Sequence, residues 1–250
     1  MTLSTLAVAA LLVGVLIGMV GIGGVVLPPA LILIGGVEPH RATAISLISF
    51  TLTGVVSAAL QLRAGAVPRS LTRNLAIGLL PGALAGGWLS ARIPQGIILG
   101  GLAAICLGSA LWAVARGRAA AAARPGREDI GAAVAAPIGV VVGLGSALTG
   151  TSGPVLLTPA LMMARLAIGQ AIIVGQVIQV IVTPAGALGS VLRARPELGL
   201  TAVLAAATAA GTVLGIAGTR RLRPPETVLR RVVAGLLAAT GILVALRLAA

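Results

Sequence analysis

Two hydroxyl side chains, Thr151 and Ser152, interrupt a strongly apolar part of the chain, in the stretch Gly150-Thr151-Ser152-Gly153. Apolar runs flank the stretch at residues 132–148 and 155–167. A helix that restarts after such a break leaves backbone N–H groups unpaired, and in a membrane interior each of them needs a partner. A small anion is a suitable partner, because the N-terminal end of a helix carries roughly half a positive charge.

A second break precedes another apolar arm in the first half of the chain, at Gly21-Ile22-Gly23-Gly24. It has no hydroxyl, which suggests that the later break contacts a ligand more directly. If the breaks bind nothing, their glycines serve close helix packing and the hydroxyls cap the following arm. The candidate binding residues of the two breaks are Gly21, Gly23, Gly24, Gly150, Thr151, Ser152 and Gly153.

Further polar side chains lie in the apolar segments that follow the breaks, and two pairs of them are candidate binding residues. Ser46 and Ser49 lie in the first half, and Gln176 and Gln179 lie in the second. Each pair has i,i+3 spacing, which puts its members on one face of a helix. Because an amide facing lipid is costly, we expect both glutamines to face the protein interior. There they would either contact the ligand or form hydrogen bonds between helices.

The composition is that of an integral membrane protein. Hydrophobic residues make up 58% of the 250-residue chain and charged residues only 9%, against about a quarter in soluble domains. All 18 basic residues are arginines, and they lie in links between apolar runs rather than on one face. With one Phe, no Tyr and two Trp, the chain lacks the aromatic residues that stack on bases, so the charge of +13 indicates a membrane surface rather than nucleic acid.

The two halves of the sequence repeat each other. Gly14, Gly21 and Gly24 match Gly143, Gly150 and Gly153 at a shift of 129, and later pairs such as Thr53 with Thr183 match at a shift of 130. We therefore predict repeat 1 at residues 1–115, a solvated linker rich in arginine and alanine at 116–131, and repeat 2 at 132–250.

Each repeat contains a broken segment, at residues 5–36 or 132–166, followed by three continuous apolar segments. The continuous segments are residues 42–62, 71–91, 96–114, 168–192, 198–218 and 228–248. The predicted fold is thus an all-α integral membrane protein with two homologous repeats, each containing one broken or re-entrant segment and three transmembrane helices. In the first repeat the arms 5–20 and 24–36 each fall short of a hydrocarbon core of about 30 Å, so they form either one interrupted span or a hairpin.

The placement of the arginines favours the hairpin. If each broken segment crosses the membrane once, the repeats are parallel, and the best count puts ten arginines inside and eight outside. If each is a hairpin, the repeats are inverted, and the count is thirteen to five. Basic residues accumulate on the inner side of membranes. Broken segments at matching positions of inverted halves are typical of secondary transporters that bind substrate between the halves.

The glycine break and the segments after it resemble the sulfite exporter TauE/SafE family of membrane transporters. The resemblance rests on Gly21 to Leu31 (GIGGVVLPPAL), on Arg41 to Leu47 (RATAISL), and on Leu62 to Val67 (LRAGAV). It implies a multi-pass permease of the bacterial inner membrane for sulfite, sulfonates or related anions. The chain departs from the family pattern at Val25, where a third glycine is expected, and in the second repeat, where Gly150-Thr151-Ser152-Gly153-Pro154 replaces the glycine run.

No carboxylate lies within an apolar segment, so the sequence contains no proton relay of the Asp/Glu type. We therefore expect an exporter driven by the membrane potential, with the anion held by the two arm N-termini and by Thr151, Ser152 and Gln176. No cofactor and no metal site is predicted; single Cys106 forms no thiolate cluster. The expected partners are a small anionic substrate and the lipid bilayer, and a homodimer is compatible with this interpretation.

Two other functions fit parts of the sequence. Gly150-Thr151-Ser152-Gly153 is similar to the G-x-S-G motif of rhomboid intramembrane proteases, in which a serine acts as nucleophile. That chemistry needs a base, and the only histidine, His40, lies in a link far from Ser152 in the sequence. The protein is therefore predicted not to be an enzyme. An anion channel or a structural membrane protein is the remaining alternative.

Overall fold

All regular secondary structure is helical in the residues that the computed structural model describes, which are 2–90, 92–94, 96–97, 100–101, 103–104, 107–108, 110–111, 130–222 and 224–249. The helices are α1 (Thr2–Val20), α2 (Leu27–Leu33), α3 (Pro39–Arg63), α4 (Arg69–Leu89), α5 (Ala132–Thr149), α6 (Pro154–Met163), α7 (Ile168–Ala194), α8 (Leu198–Leu222) and α9 (Glu226–Ala249). Six of these helices, α1, α3, α5, α7, α8 and α9, are long and apolar enough to cross a membrane. The prediction of an all-α membrane protein is confirmed.

Parts of the predicted layout lie outside the described residues. This applies to residues 116–129 of the predicted linker and to Cys106. The predicted segment 96–114 is described only in part, and its described residues up to 111 are helical. The predicted segment 71–91 corresponds to α4, a 21-residue helix that is not among the six candidate spans.

The first broken segment is a hairpin. Gly23 packs against the backbone of Val13 and Ile17, whereas Gly35 lies beside the side chain of Leu6, near the start of α1. The chain after the break therefore runs back along α1. The two arms differ from the predicted ones, because α1 is itself a candidate span of 18 residues while α2 has only 7 residues. The break thus follows a full-length helix instead of joining two short ones.

Corresponding helices of the two halves run antiparallel. Helices α3 and α7 occupy the same place in the two repeats, and their contacts pair rising positions on α3 with falling positions on α7. These contacts are Leu47 with Gly186, Thr51 with Thr183, Gly54 with Gln179, and Gln61 with Gln176. Repeats that each crossed the membrane through their broken segment would make α3 and α7 parallel. The geometry therefore favours inverted repeats.

The same geometry gathers arginines at one end of the bundle. The Arg220 guanidinium, in the last turn of α8, donates a hydrogen bond to the carbonyl of Leu60 near the end of α3, at 2.9 Å. Because α7 runs opposite to α3, Arg165 just before α7 also lies at this end, with Arg63. In the arginine count for inverted repeats, Arg63, Arg165 and Arg220 all lie on the inner side of the membrane.

Two close helix pairs hold the halves together, α1 with α8 and α4 with α5. Gly82 of α4 lies on the carbonyl of Val140 of α5, and Gly211 of α8 lies on the carbonyl of Leu11 of α1. Gly211 stands 129 positions after Gly82, and Val140 stands 129 positions after Leu11. Both crossings therefore use the same contact at matching positions. Small residues let the backbones of membrane helices approach closely, and this close packing helps the helices to associate in lipid.

Replacing Gly211 by alanine is expected to destabilise the protein by about 1–3 kcal/mol, the usual cost of overpacking. A Cβ there would collide with the backbone of Leu11 and Val15, which cannot move aside as a flexible side chain could. The matched control is Gly218→Ala on the same helix, where a Cβ meets nothing within 4 Å. Thermal unfolding of the purified protein in detergent would measure both variants, and equal midpoints would contradict the packing model.

Candidate functional site

The two breaks meet in the interior of the protein. Gly24 of the first break lies against the side chain of Ser152 in the second and against the ring of Phe50, in the middle of α3. Gly21 lies beside Pro154 at the start of α6. Residues 21–25 and 150–157 are all buried. We call the region around Gly24 and Ser152, where the breaks come together, the junction.

The chain enters each break at a residue in the left-handed conformation, which only glycine adopts easily. Gly21 has φ +74° and its N–H bonds to the carbonyl of Ile17; Gly150 has φ +69° and its N–H bonds to the carbonyl of Ser146. Both glycines thus end a helix as a left-handed cap, which lets the chain reverse. Pro154 then starts α6, at a position where its missing N–H costs nothing.

Several backbone N–H groups at the junction have no protein partner. At the first break Val26 donates to the carbonyl of Gly23, at 3.0 Å, but within the described part of the chain neither Gly24 nor Val25 donates a hydrogen bond. At the second break Thr151 donates to the carbonyl of Ser146, at 3.1 Å, while Ser152 has no such bond. These buried donors are what a negatively charged ligand requires.

Buried side-chain groups add to the unpaired backbone. Among the described residues, six have a buried polar side-chain atom without a hydrogen-bond partner: Ser46, Ser57, Ser146, Ser152, Thr158 and Gln179. Most buried polar atoms in folded proteins are paired, so a group of unpaired ones needs an explanation. The hydroxyl of Ser152 touches Gly24, which puts this unpaired donor at the junction itself.

Gln179 is the largest of these unpaired groups. Its side chain is 0% exposed, and neither its Nε2 nor its Oε1 has a partner. The residue packs against Gly54, one helical turn along α3 from Phe50, whose ring lies against Gly24 at the junction. Gln179 therefore packs one turn of α3 away from the residue whose ring reaches the junction.

Gln176, the other predicted glutamine, has both its amide nitrogen and its amide oxygen in hydrogen bonds. Its Nε2 donates to the carbonyls of Ile17 and Gly18 near the end of α1, at 2.9 and 2.8 Å; the first of these carbonyls also accepts the N–H of Gly21. Its Oε1 accepts a hydrogen bond of 2.6 Å from Nε2 of Gln61 on α3. Gln176 thus joins three helices, which is the interhelical role left open above. Gln61 was not among the predicted site residues, although an amide in an apolar segment is a usable signal.

The other predicted site residues also include some with hydrogen-bonded hydroxyls and one with an unpaired hydroxyl. The Ser49 hydroxyl donates to the carbonyl of Ile45, in its own helix, at 2.8 Å, whereas the Ser46 hydroxyl has no partner. The hydroxyl of Thr151 shares a 3.0 Å hydrogen bond with that of Thr149. Gly23 packs on α1, and Gly153 begins α6 with φ +92° beside Ile178.

The interior around the junction has no charged side chain among the described residues. The buried polar residues are all Ser, Thr or Gln, and every arginine whose exposure the structure describes is exposed. No group of three or more His, Cys, Asp or Glu residues that could hold a metal occurs in the described part of the chain. His40 is exposed in the first turn of α3. The site therefore consists of neutral hydrogen-bonding groups and helix ends.

An apolar helical bundle in which two helix breaks meet at a buried polar centre is typical of multi-pass membrane transporters. The comparison with known families gives the particular group: a family model described as Sulfite exporter TauE/SafE matches residues 6–244. The chain therefore belongs to the sulfite exporter TauE/SafE family. No curated protein and no solved structure matched the chain. Because this is a family of transporters and not of enzymes, the predictions of anion transport in general and of a non-enzyme are confirmed, and a rhomboid-like protease is excluded.

Proposed function

We propose that this protein exports a small sulfur-containing anion, such as sulfite or an organosulfonate, across the inner membrane of a bacterium. The observation that supports this most directly is the unpaired hydroxyl of Ser152, fully buried against Gly24 at the start of α6. The anion would accept hydrogen bonds from this hydroxyl, from the unpaired N–H groups of both breaks and from the amide of Gln179. Gln176 and Ser49, whose polar atoms are already bonded, would hold the surrounding helices in place.

The repeats are proposed to be residues 1–115 and 132–250, joined by the linker 116–131 and inverted in the membrane. A site between two inverted hairpins can open to either side when one repeat rocks against the other. The antiparallel course of α3 and α7 supports this proposal. No coupling ion is required, because an inside-negative potential drives each negative charge outward by about 2.3 kcal/mol per 100 mV.

The first test is transport by the purified protein in liposomes. Uptake of labelled sulfite would be measured under an imposed potential, with and without a proton or sodium gradient. Saturable flux that the potential drives without any ion gradient is the expected result. Flux that requires an ion gradient would contradict the proposed energy source, flux that does not saturate would indicate a channel, and no flux of any anion would overturn the proposal.

Ser152→Ala is expected to weaken sulfite transport by about tenfold or more, because a hydrogen bond to a charged group contributes roughly 1.5–3 kcal/mol. Removing an unpaired hydroxyl should not lower stability. Thr151→Ala should have a smaller effect, since its hydroxyl already bonds to Thr149. The control is Ser190→Ala on α7, whose hydroxyl bonds to carbonyls of its own helix. Equal transport by the Ser152 and Ser190 variants would remove Ser152 from the site.

A further inference from the structure

The charge that the junction can hold follows from the groups that line it. The described interior offers hydroxyls, one free amide and backbone N–H groups, but no arginine, since the described arginines are exposed. Such groups attract an anion as fixed dipoles do. The described residues contain no buried guanidinium, which would neutralise a whole unit of negative charge.

The two energies that decide binding depend differently on the charge of the ligand. The attraction between an ion and fixed dipoles rises in proportion to its charge, whereas the cost of taking the ion out of water rises with the square of the charge. Doubling the charge thus doubles the gain and quadruples the cost. A site made only of dipoles therefore favours an anion with one negative charge over a dianion of similar size.

The unpaired amide of Gln179 acts in the same direction. Whichever way the amide is oriented, it presents one donor end and one acceptor end, and both are buried without a partner. A fully deprotonated oxyanion such as sulfite or sulfate can satisfy the donor end but repels the acceptor oxygen. An oxyanion that keeps a hydrogen, such as hydrogensulfite, can satisfy both ends.

On the basis of the proposed function, we propose that the junction selects monoanions over dianions, so that sulfite leaves as hydrogensulfite. Each transported hydrogensulfite ion then carries one net negative charge across the membrane, together with the hydrogen that it keeps. Gln179 is the specificity-determining residue, because its acceptor oxygen binds the ligand's hydrogen. Dissolved sulfite contains both forms near neutral pH, and the transporter would draw on the protonated one.

Proteoliposomes with the unchanged protein test this directly. The potential at which net flux of labelled sulfite stops would be measured with equal pH on both sides and a tenfold sulfite gradient. A single transported charge gives about 59 mV for the tenfold ratio and two charges give about 30 mV. Competition at fixed pH would compare methanesulfonate, a permanent monoanion, with sulfate, a dianion at neutral pH; since neither carries an acidic hydrogen, this comparison tests the selection by charge apart from the amide of Gln179.

We expect the value for one charge, and we expect methanesulfonate to compete at least tenfold more effectively than sulfate. The value for two charges, or equal competition by sulfate, would overturn the charge selection while leaving sulfite export intact. Flux of no anion in the same liposomes would overturn both the selection and the proposed function. Protein-free liposomes at the same pH supply the background for every measurement.

Discussion

Replacing Gln179 by leucine is expected to lower sulfite transport by about 10- to 100-fold while leaving the protein as stable as before, or more stable. The amide is 0% exposed and has no partner, so folding gains nothing from it. Replacing an unpaired buried polar group by an apolar one of similar size removes a desolvation cost of about 1–3 kcal/mol. A bound anion, in contrast, would lose its hydrogen bond to the amide.

Two measurements on the same preparation are required. Sulfite flux in proteoliposomes would report the loss of function, and the midpoint of thermal unfolding in detergent would report stability. Transport at the unchanged rate would show that the amide does not contact the ligand. A clear fall in the unfolding midpoint would show instead that Gln179 has a structural partner, and would count equally against the site.

The same substitution three residues earlier is expected to have the opposite effect. Gln176→Leu would leave two buried groups unpaired, the carbonyl of Gly18 and the Nε2 of Gln61, while the carbonyl of Ile17 would keep only its bond from the N–H of Gly21. Each orphaned group costs about 1–3 kcal/mol, which together is a large share of the stability of an ordinary domain. We expect little folded protein, or a marked fall in the unfolding midpoint.

The two glutamine variants control each other, since they lie on one helix, are both buried and receive the same side chain. Yield of monodisperse protein and thermal unfolding would be compared side by side. A second check is the double variant Gln61→Leu, Gln176→Leu, which should cost less than the sum of the single changes because the two amides bond to each other. If Gln176→Leu and Gln179→Leu proved equally stable, the assigned hydrogen bonds would be wrong.

Much of the architecture could be predicted because it depends on composition and spacing. Apolar length locates the spans, and the helices observed from α3 onward begin within three residues of the predicted segments. The hairpin was favoured by the arginines, since their distribution records topology, and the contact of Gly35 with Leu6 agrees with it. Gly82 with Gly86, and Gly211 with Gly215, have the i,i+4 spacing of small residues that is typical of close helix packing, and both Gly82 and Gly211 contact a neighbouring backbone.

The roles of individual polar residues could not be predicted in the same way. Spacing puts Gln176 and Gln179 on one face of a helix, but it does not say what each of them meets. That depends on long-range partners, here the end of α1 and Gln61, which are 159 and 115 positions away from Gln176. Helix α1 begins at Thr2, ahead of the predicted arm 5–20. The polar residues Thr2 and Ser4 make the start of the chain less apolar, but they continue the helix.

The glycine crossings of α1 with α8 and of α4 with α5 bear on the origin of the chain. Each half contacts the other through the same pair of surfaces, because the residues of one crossing stand at a constant offset from those of the other. Two identical subunits contact each other in this way across a twofold axis. A half-length ancestor could therefore have formed this bundle as a pair of identical chains inserted in opposite orientations. Gene fusion would then have freed each copy to change alone, and the hydroxyls of Thr151 and Ser152, absent from the first break, would be a result of that divergence.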